Sequence, residues 1–262
     1  MEENPQSDRF TREADHFDQI YANKAIFDDL LLSDDDKQKY TNPPEGTIFS
    51  KKYYFHLLSP LKGKTVLEIA CGDGIDACIA AHNGAEVYAY DVSPVAVEMT
   101  KQRAAANGLS DRVHAEVCAE IEEAFRGKQF DAVMGYAALH HLSLPGFGEK
   151  VHSRLNTGGV AVFAEPVINS QALQKIRNLI PYRPAGVSED QTPLSDTEIY
   201  ELSKPFDRLN RREFEFFARL HYLFYKYPRF VATLFAMDKY LMKIPIFRPL
   251  GSVVVFALYR DR

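Results

Sequence analysis

The chain has 262 residues, with 31 lysines and arginines against 36 aspartates and glutamates and a net charge of −5. That balance argues against the basic footprint of a nucleic-acid binder, and the length suits one large domain or one domain with a cap. Three cysteines (Cys71, Cys78 and Cys118) are too few and too scattered for a disulfide framework or a zinc knuckle, which predicts a reduced, cytoplasmic setting. The acidic start MEENPQSDRF lacks the basic, apolar form of a signal peptide, and the apolar run at 230–237 falls far short of the ~20 residues of a membrane span.

Residues 1–15 read as a polar tail. From 14 to 32, Phe17, Ile20, Tyr21 and Ile26 recur near one face at helical spacing and predict a helix. The charge run at 33–37 reads as a solvated turn. Asn42-Pro43-Pro44-Glu45-Gly46 excludes regular structure, because the prolines lack N–H donors and glycine permits a turn. Residues 48–58 predict a helix leading into Pro60.

From Gly63 the pattern alternates between strand and helix. Strands are expected at 65–70, 86–90, 113–118, 130–136 and 160–164. Asn83-Gly84 and Asn107-Gly108 stop the first two helices, and Ser93-Pro94 starts the second as N-cap and first-turn proline. Thr157-Gly158-Gly159 reads as a turn before the fifth strand. Such alternation predicts a parallel sheet covered by helices on both faces. After Pro166 the rhythm is lost: 167–210 is polar with several prolines, 211–247 is aromatic, apolar and basic, and 252–259 (SVVVFALY) is a strand.

The chemistry centres on residues 66–74, Val-Leu-Glu-Ile-Ala-Cys-Gly-Asp-Gly. Gly72 and Gly74 follow a buried strand and open a helix, so backbone can approach a ligand closely beside unpaired helix N–H groups. Asp91 closes the second strand, where a carboxylate can accept both hydroxyls of a ribose. Gly72-x-Gly74-x-x-Ala77 formally fits a dinucleotide fingerprint, which keeps an NAD-dependent oxidoreductase as an alternative. Glu68, four residues before Gly72, weighs against it, since a nearby carboxylate repels a pyrophosphate.

VLEIACGDG, AYDVSP, CAEIEEAF, FDAVMGYAALHHL and LNTGGVAVFAEP, in that order over about 62–168, resemble the successive motifs of class I S-adenosylmethionine-dependent methyltransferases. The resemblance implies a doubly wound, Rossmann-like α/β fold with a seven-stranded sheet, its last strand antiparallel, and a helical cap. It divides the chain into an N-terminal helical arm (1–58), a core binding S-adenosyl-L-methionine (59–168), a cap or lid (169–250) and a final sheet strand (251–262). Ala70, Gly72, Asp73 and Gly74 would then pack against the methionine part of the cofactor, with Glu68 orienting their loop. Asp91 would hold the ribose, Val92, Ala119 and Glu120 would flank adenine, and Tyr136 would face the methionine moiety. Where many relatives carry an aspartate before that alanine, this chain has Cys118, which leaves Glu120 or a backbone carbonyl to receive the adenine amino group.

Methyl transfer requires alignment and exclusion of water, and a base only for a protonated acceptor. His140 and His141, after the fourth strand, are the candidate bases, with loop packing as the plainer role for either. Glu165 is a candidate substrate contact or loop tie. Tyr21, Phe17 and Tyr40 are candidates to close over the cofactor, and Tyr222 belongs to the aromatic-basic stretch 213–249. That stretch reads as a lid over a greasy substrate, a contact with an anionic membrane surface, or core. No carboxylate cluster stands at metal-ligand spacing, so no metal is expected. The acceptor is expected to be a small, hydrophobic or lipid-like molecule, with oxygen favoured as the methylated atom. A non-catalytic membrane- or partner-binding module is the other alternative.

Overall fold

A computed structural model describes residues 12–21, 30–168 and 193–262. Seven strands form one sheet: β1 Thr65–Ile69, β2 Glu86–Asp91, β3 Val113–Val117, β4 Phe130–Tyr136, β5 Leu155–Pro166, β6 Arg208–Phe214 and β7 Val253–Arg260. Their order is β3-β2-β1-β4-β5-β7-β6. Neighbours from β3 through β5 pair in parallel, and β7 runs antiparallel to both β5 and β6. This is the doubly wound seven-stranded α/β sheet expected, including the antiparallel last strand.

Alternation along each strand fills two cores. Val66 belongs to the cluster on one face with Tyr54, Phe55, Leu58 and Ile79, while Leu67 and Ile69 belong to the other with Phe130, Phe163 and Phe256. Each of these large side chains is at most 1% exposed, so each contributes about 1.5–3 kcal/mol of burial. Strand order reverses between β1 and β4, which opens a crevice at the carboxyl ends of β1, β2 and β4 where such sheets bind ligands.

Several expectations are corrected. The charge run forms a short helix, Asp34–Lys39, because Ser33 Oγ accepts Asp36 N and the acids precede the lysines along the helix dipole. The N-terminal helix is seen at 12–21, residues 30–33 are not helical, and 22–29 lie outside the described residues. β5 starts at Leu155 rather than after the Thr157-Gly158-Gly159 turn, with an irregularity opposite Phe130/Ala132. The segment expected as cap or lid at 169–250 gives a strand to the sheet, since Arg208–Phe214 pairs along β7. A helix, Asp196–Ser203, precedes it, closed by a capping box between Ser195 and Glu198.

Candidate functional site

The backbone after β1 is folded into a cradle. Ala70, Gly72 and Gly74 all have positive φ (51°, 54° and 73°), and Gly74 N donates to Cys71 O at 2.9 Å. Asp91 fixes this turn: Oδ2 accepts Gly72 N and Oδ1 accepts Ser93 N, both at 2.9 Å. One carboxylate therefore ties the turn after β1 to the turn after β2. Burial raises its proton affinity and the backbone N–H groups oppose that rise. Arg103 supports the turn from behind, its Nε donating to Asp73 O at 2.8 Å.

The crevice encloses a cavity of about 340 Å³. Glu68, Ala70, Gly72, Asp73, Asp91, Val92, Ala119, Tyr136, His141 and Tyr21 line it, bringing together most of the residues singled out in the sequence. Glu68 is 4% exposed, and its Oε2 has no hydrogen-bond partner among the described residues. Burial, then the nearby Asp76 and Asp73, push its carboxyl well above the ordinary range. Tyr136 is pushed up to about 12, chiefly by burial.

No local pattern marks Lys51, which reaches the cavity from helix Ser50–Leu58. Its Nζ pairs with Asp76 Oδ1 at 2.7 Å and stands 5.2 Å from the centre of the Tyr136 ring. Glu13 and Phe17 also line the cavity from the N-terminal helix. That helix docks through Asp18, which accepts Ser93 Oγ at 2.5 Å and Val95 N at 3.3 Å. The Tyr21 hydroxyl lies over the cradle, 2.6 Å from where a Cβ on Gly72 would stand.

The two histidines part company. His141 lines the cavity, with Nδ1 3.6 Å from Glu13 Oε2 and Phe17 edge-on at 5.0 Å. His140 does not line it, and its Nδ1 meets Glu165 Oε2 at 2.8 Å. Glu165, fully buried, also accepts Ala138 N and Leu139 N through Oε1, both at 2.8 Å. Glu165 thus ties the loop after β4 to β5, with His140 as part of the tie.

Two more candidates stand apart from the cavity. Glu120 is drawn to Lys150 at 3.1 Å, a lysine that also holds Glu122 at 2.9 Å. Cys118 Sγ donates to the Glu120 carbonyl at 3.3 Å. Tyr40 packs on Phe55, ring centres 5.1 Å apart, because it caps the short helix against the core. The side chain of Tyr222 lies outside the described residues. Among the described residues no group of acids, histidines and cysteines is arranged to hold a metal, and no helix is long and apolar enough to cross a membrane.

Residues 66–159 match the model of a methyltransferase domain family. The ribosomal protein L11 methyltransferase of Acinetobacter baumannii (strain SDF) is 39% identical over 75 residues, 28% of this chain and 25% of that protein, so the match spans about a quarter of that relative's length. The ubiquinone biosynthesis O-methyltransferase of Roseobacter denitrificans is 27% identical over 165 residues, 60% of this chain and 65% of that protein. Magnesium protoporphyrin IX methyltransferase from Synechocystis, solved with bound S-adenosylhomocysteine, superposes with a TM-score of 0.55 at 14% identity, over 96% of this chain and 99% of that one.

The group this fold implies, S-adenosyl-L-methionine, carries a sulfonium and an ammonium and no phosphate. The residues present fit it: a buried, unpartnered Glu68 oxygen, Asp73 and Asp91 around the glycine turn, and apolar Val92 and Ala119 beside them. The same acids would repel a pyrophosphate. Residues 66–159 thus belong to the methyltransferase domain family, and the chain around them has the fold of the class I S-adenosylmethionine-dependent methyltransferases.

Proposed function

We propose that this chain is an enzyme that methylates a small, apolar acceptor from S-adenosyl-L-methionine, with a hydroxyl oxygen as the favoured target, in the reduced compartment that its three free cysteines suit. The observation that carries the reading is His141 in an acid-lined cavity at the carboxyl edge of the parallel strands. When bound, the cofactor supplies a methyl group activated by a positively charged sulfur. Asp73 attracts the cationic portion electrostatically, and Glu68, whose burial favours the protonated carboxyl, sets a hydrogen-bonding group beside it. Asp91 accepts Gly72 N on one oxygen and Ser93 N on the other, and the lone pairs of a carboxylate leave room for a ribose diol. Val92 and Ala119 offer apolar surface to the adenine ring.

On the acceptor side, Phe17, Leu142 and Tyr21 make a largely apolar wall that excludes water. His141 takes the hydroxyl proton as the acceptor oxygen attacks. Glu13 Oε2 stands 3.6 Å from Nδ1 of the same ring. Glu165 holds the loop that presents His141. The Roseobacter relative, named as an O-methyltransferase of ubiquinone biosynthesis, supports an oxygen acceptor.

Two measurements test the proposal. Calorimetric titration should give micromolar binding of S-adenosylhomocysteine and none of NAD; binding of NAD alone would replace the reading with a dehydrogenase. With labelled S-adenosylmethionine and a panel of apolar phenols, His141→Ala should keep the affinity for S-adenosylhomocysteine and lose about 10²- to 10⁴-fold in transfer rate, the span usual for a general base. An unchanged rate would remove His141 from the chemistry.

A further inference from the structure

The stretch 213–249 is not built like a lid, because none of the described residues lining the cavity comes from it. It is not built like core either. Most of the exposed large apolar side chains among the described residues fall here, including Ile246 at 77%, Tyr225 at 69%, Tyr240 at 67% and Phe230 at 46% exposure.

Helix Pro228–Leu241 shows how the sequence divides. Leu234 and Asp238 face inward, while Phe230, Met237 and Tyr240 recur at helical spacing on the outside. Asp238, the single acid between 223 and 248, is spent internally: Oδ1 accepts Phe217 N and Oδ2 accepts Ala218 N, both at 2.8 Å. The exposed surface is therefore apolar, aromatic and cationic, with Lys226, Arg229, Lys243 and Arg248 all exposed on a chain whose net charge is −5. Lys226 and Lys243 each hold the ammonium 5.7 Å from the ring centre of a neighbouring tyrosine, Tyr225 and Tyr240.

We propose that this face docks the protein on the surface of an anionic lipid bilayer. Tyrosines and isoleucines enter the headgroup boundary while lysines and arginines meet the lipid charges, the division of labour of an interfacial amphipathic helix. Charge complementarity selects this occupant, since the surface offers cations and apolar tips and no exposed carboxylate. The docking helix also touches the helix that lines the cavity. Phe235 packs on Phe49 with ring centres 4.9 Å apart, and Phe49 is the N-cap of the helix that carries Lys51 into the cavity wall. The inference stands on the surface itself and does not depend on which reaction the cavity performs.

The test is co-sedimentation of the full chain with phosphatidylcholine vesicles, with and without phosphatidylglycerol. The protein should pellet with the anionic vesicles only, and raised salt should release it. The triple variant Lys226→Gln, Arg229→Gln, Lys243→Gln should lose on the order of a hundredfold in vesicle affinity, at about fivefold per cation. The pair Tyr240→Ser, Ile246→Ser should lose binding with its charges intact. Both variants should unfold at the parent temperature and keep S-adenosylhomocysteine binding, because none of these side chains lines the cavity. Equal binding to both vesicle types, binding to neither, or a concentration-dependent dimer abolished by Ile246→Ser would each overturn the proposal.

Discussion

Glu165→Ala perturbs the site at a defined point. Glu165 is fully buried and is the acceptor for Ala138 N, Leu139 N and the His140 ring. Removing it leaves two backbone N–H groups without a partner in a region where Ala138 and Leu139 are themselves fully buried. Each such orphan costs about 1–3 kcal/mol, so the variant should lose roughly 2–6 kcal/mol. At about 2–4 °C per kcal/mol for a chain near this size, Tm should fall by roughly 4–24 °C. Glu165→Gln keeps a carbonyl oxygen for both N–H groups and alters only the partner of His140, so it should lose less than about 1.5 kcal/mol. Urea denaturation followed by circular dichroism reads both. If the alanine variant were no less stable than the glutamine variant, the loop would not depend on these hydrogen bonds and the assignment of Glu165 as its anchor would fail.

Asp91→Ala should weaken S-adenosylhomocysteine binding by more than tenfold in calorimetry, since it frees the cradle's Gly72 N–H and removes the ribose acceptor together; unaltered affinity would displace Asp91 from the site. Gly74→Ala should destabilise by roughly 2–4 kcal/mol in thermal unfolding, because its Cβ would stand 2.7 Å from Thr100 Cα at a φ of 73°. Glu68 binds its proton more tightly in the fold than in the unfolded chain, so its contribution to stability is greatest below the unfolded pKa of about 4.3 and is lost as pH rises through the folded value. Glu68→Gln should therefore match the parent near pH 4 and become progressively more stable than it toward pH 7. A stability difference that does not vary with pH would contradict this.

What the sequence determined about this protein is local. Glycine after a buried strand, Ser93-Pro94 at a helix start and Asn-Gly at two helix ends each carry their conformation within a few residues. The positions of β1 to β4 and the cradle therefore followed from the order of letters. The glycine turn and Asp91 were readable together because they terminate neighbouring parallel strands. β6 was not readable: RLNRREF is polar and exposed in its first half, and it is a strand only because β7 offers it a row of backbone partners. The same holds at the site. His140 and His141 are adjacent letters with identical chemistry, yet β5 places Glu165 against one while the N-terminal helix places Glu13 against the other. Lys51 and Glu13, far from the glycine turn in sequence, reach the cavity through helix packing that no local pattern encodes. Which carboxylate meets which cation or N–H is set by distances between elements, and those exist only once the sheet has closed.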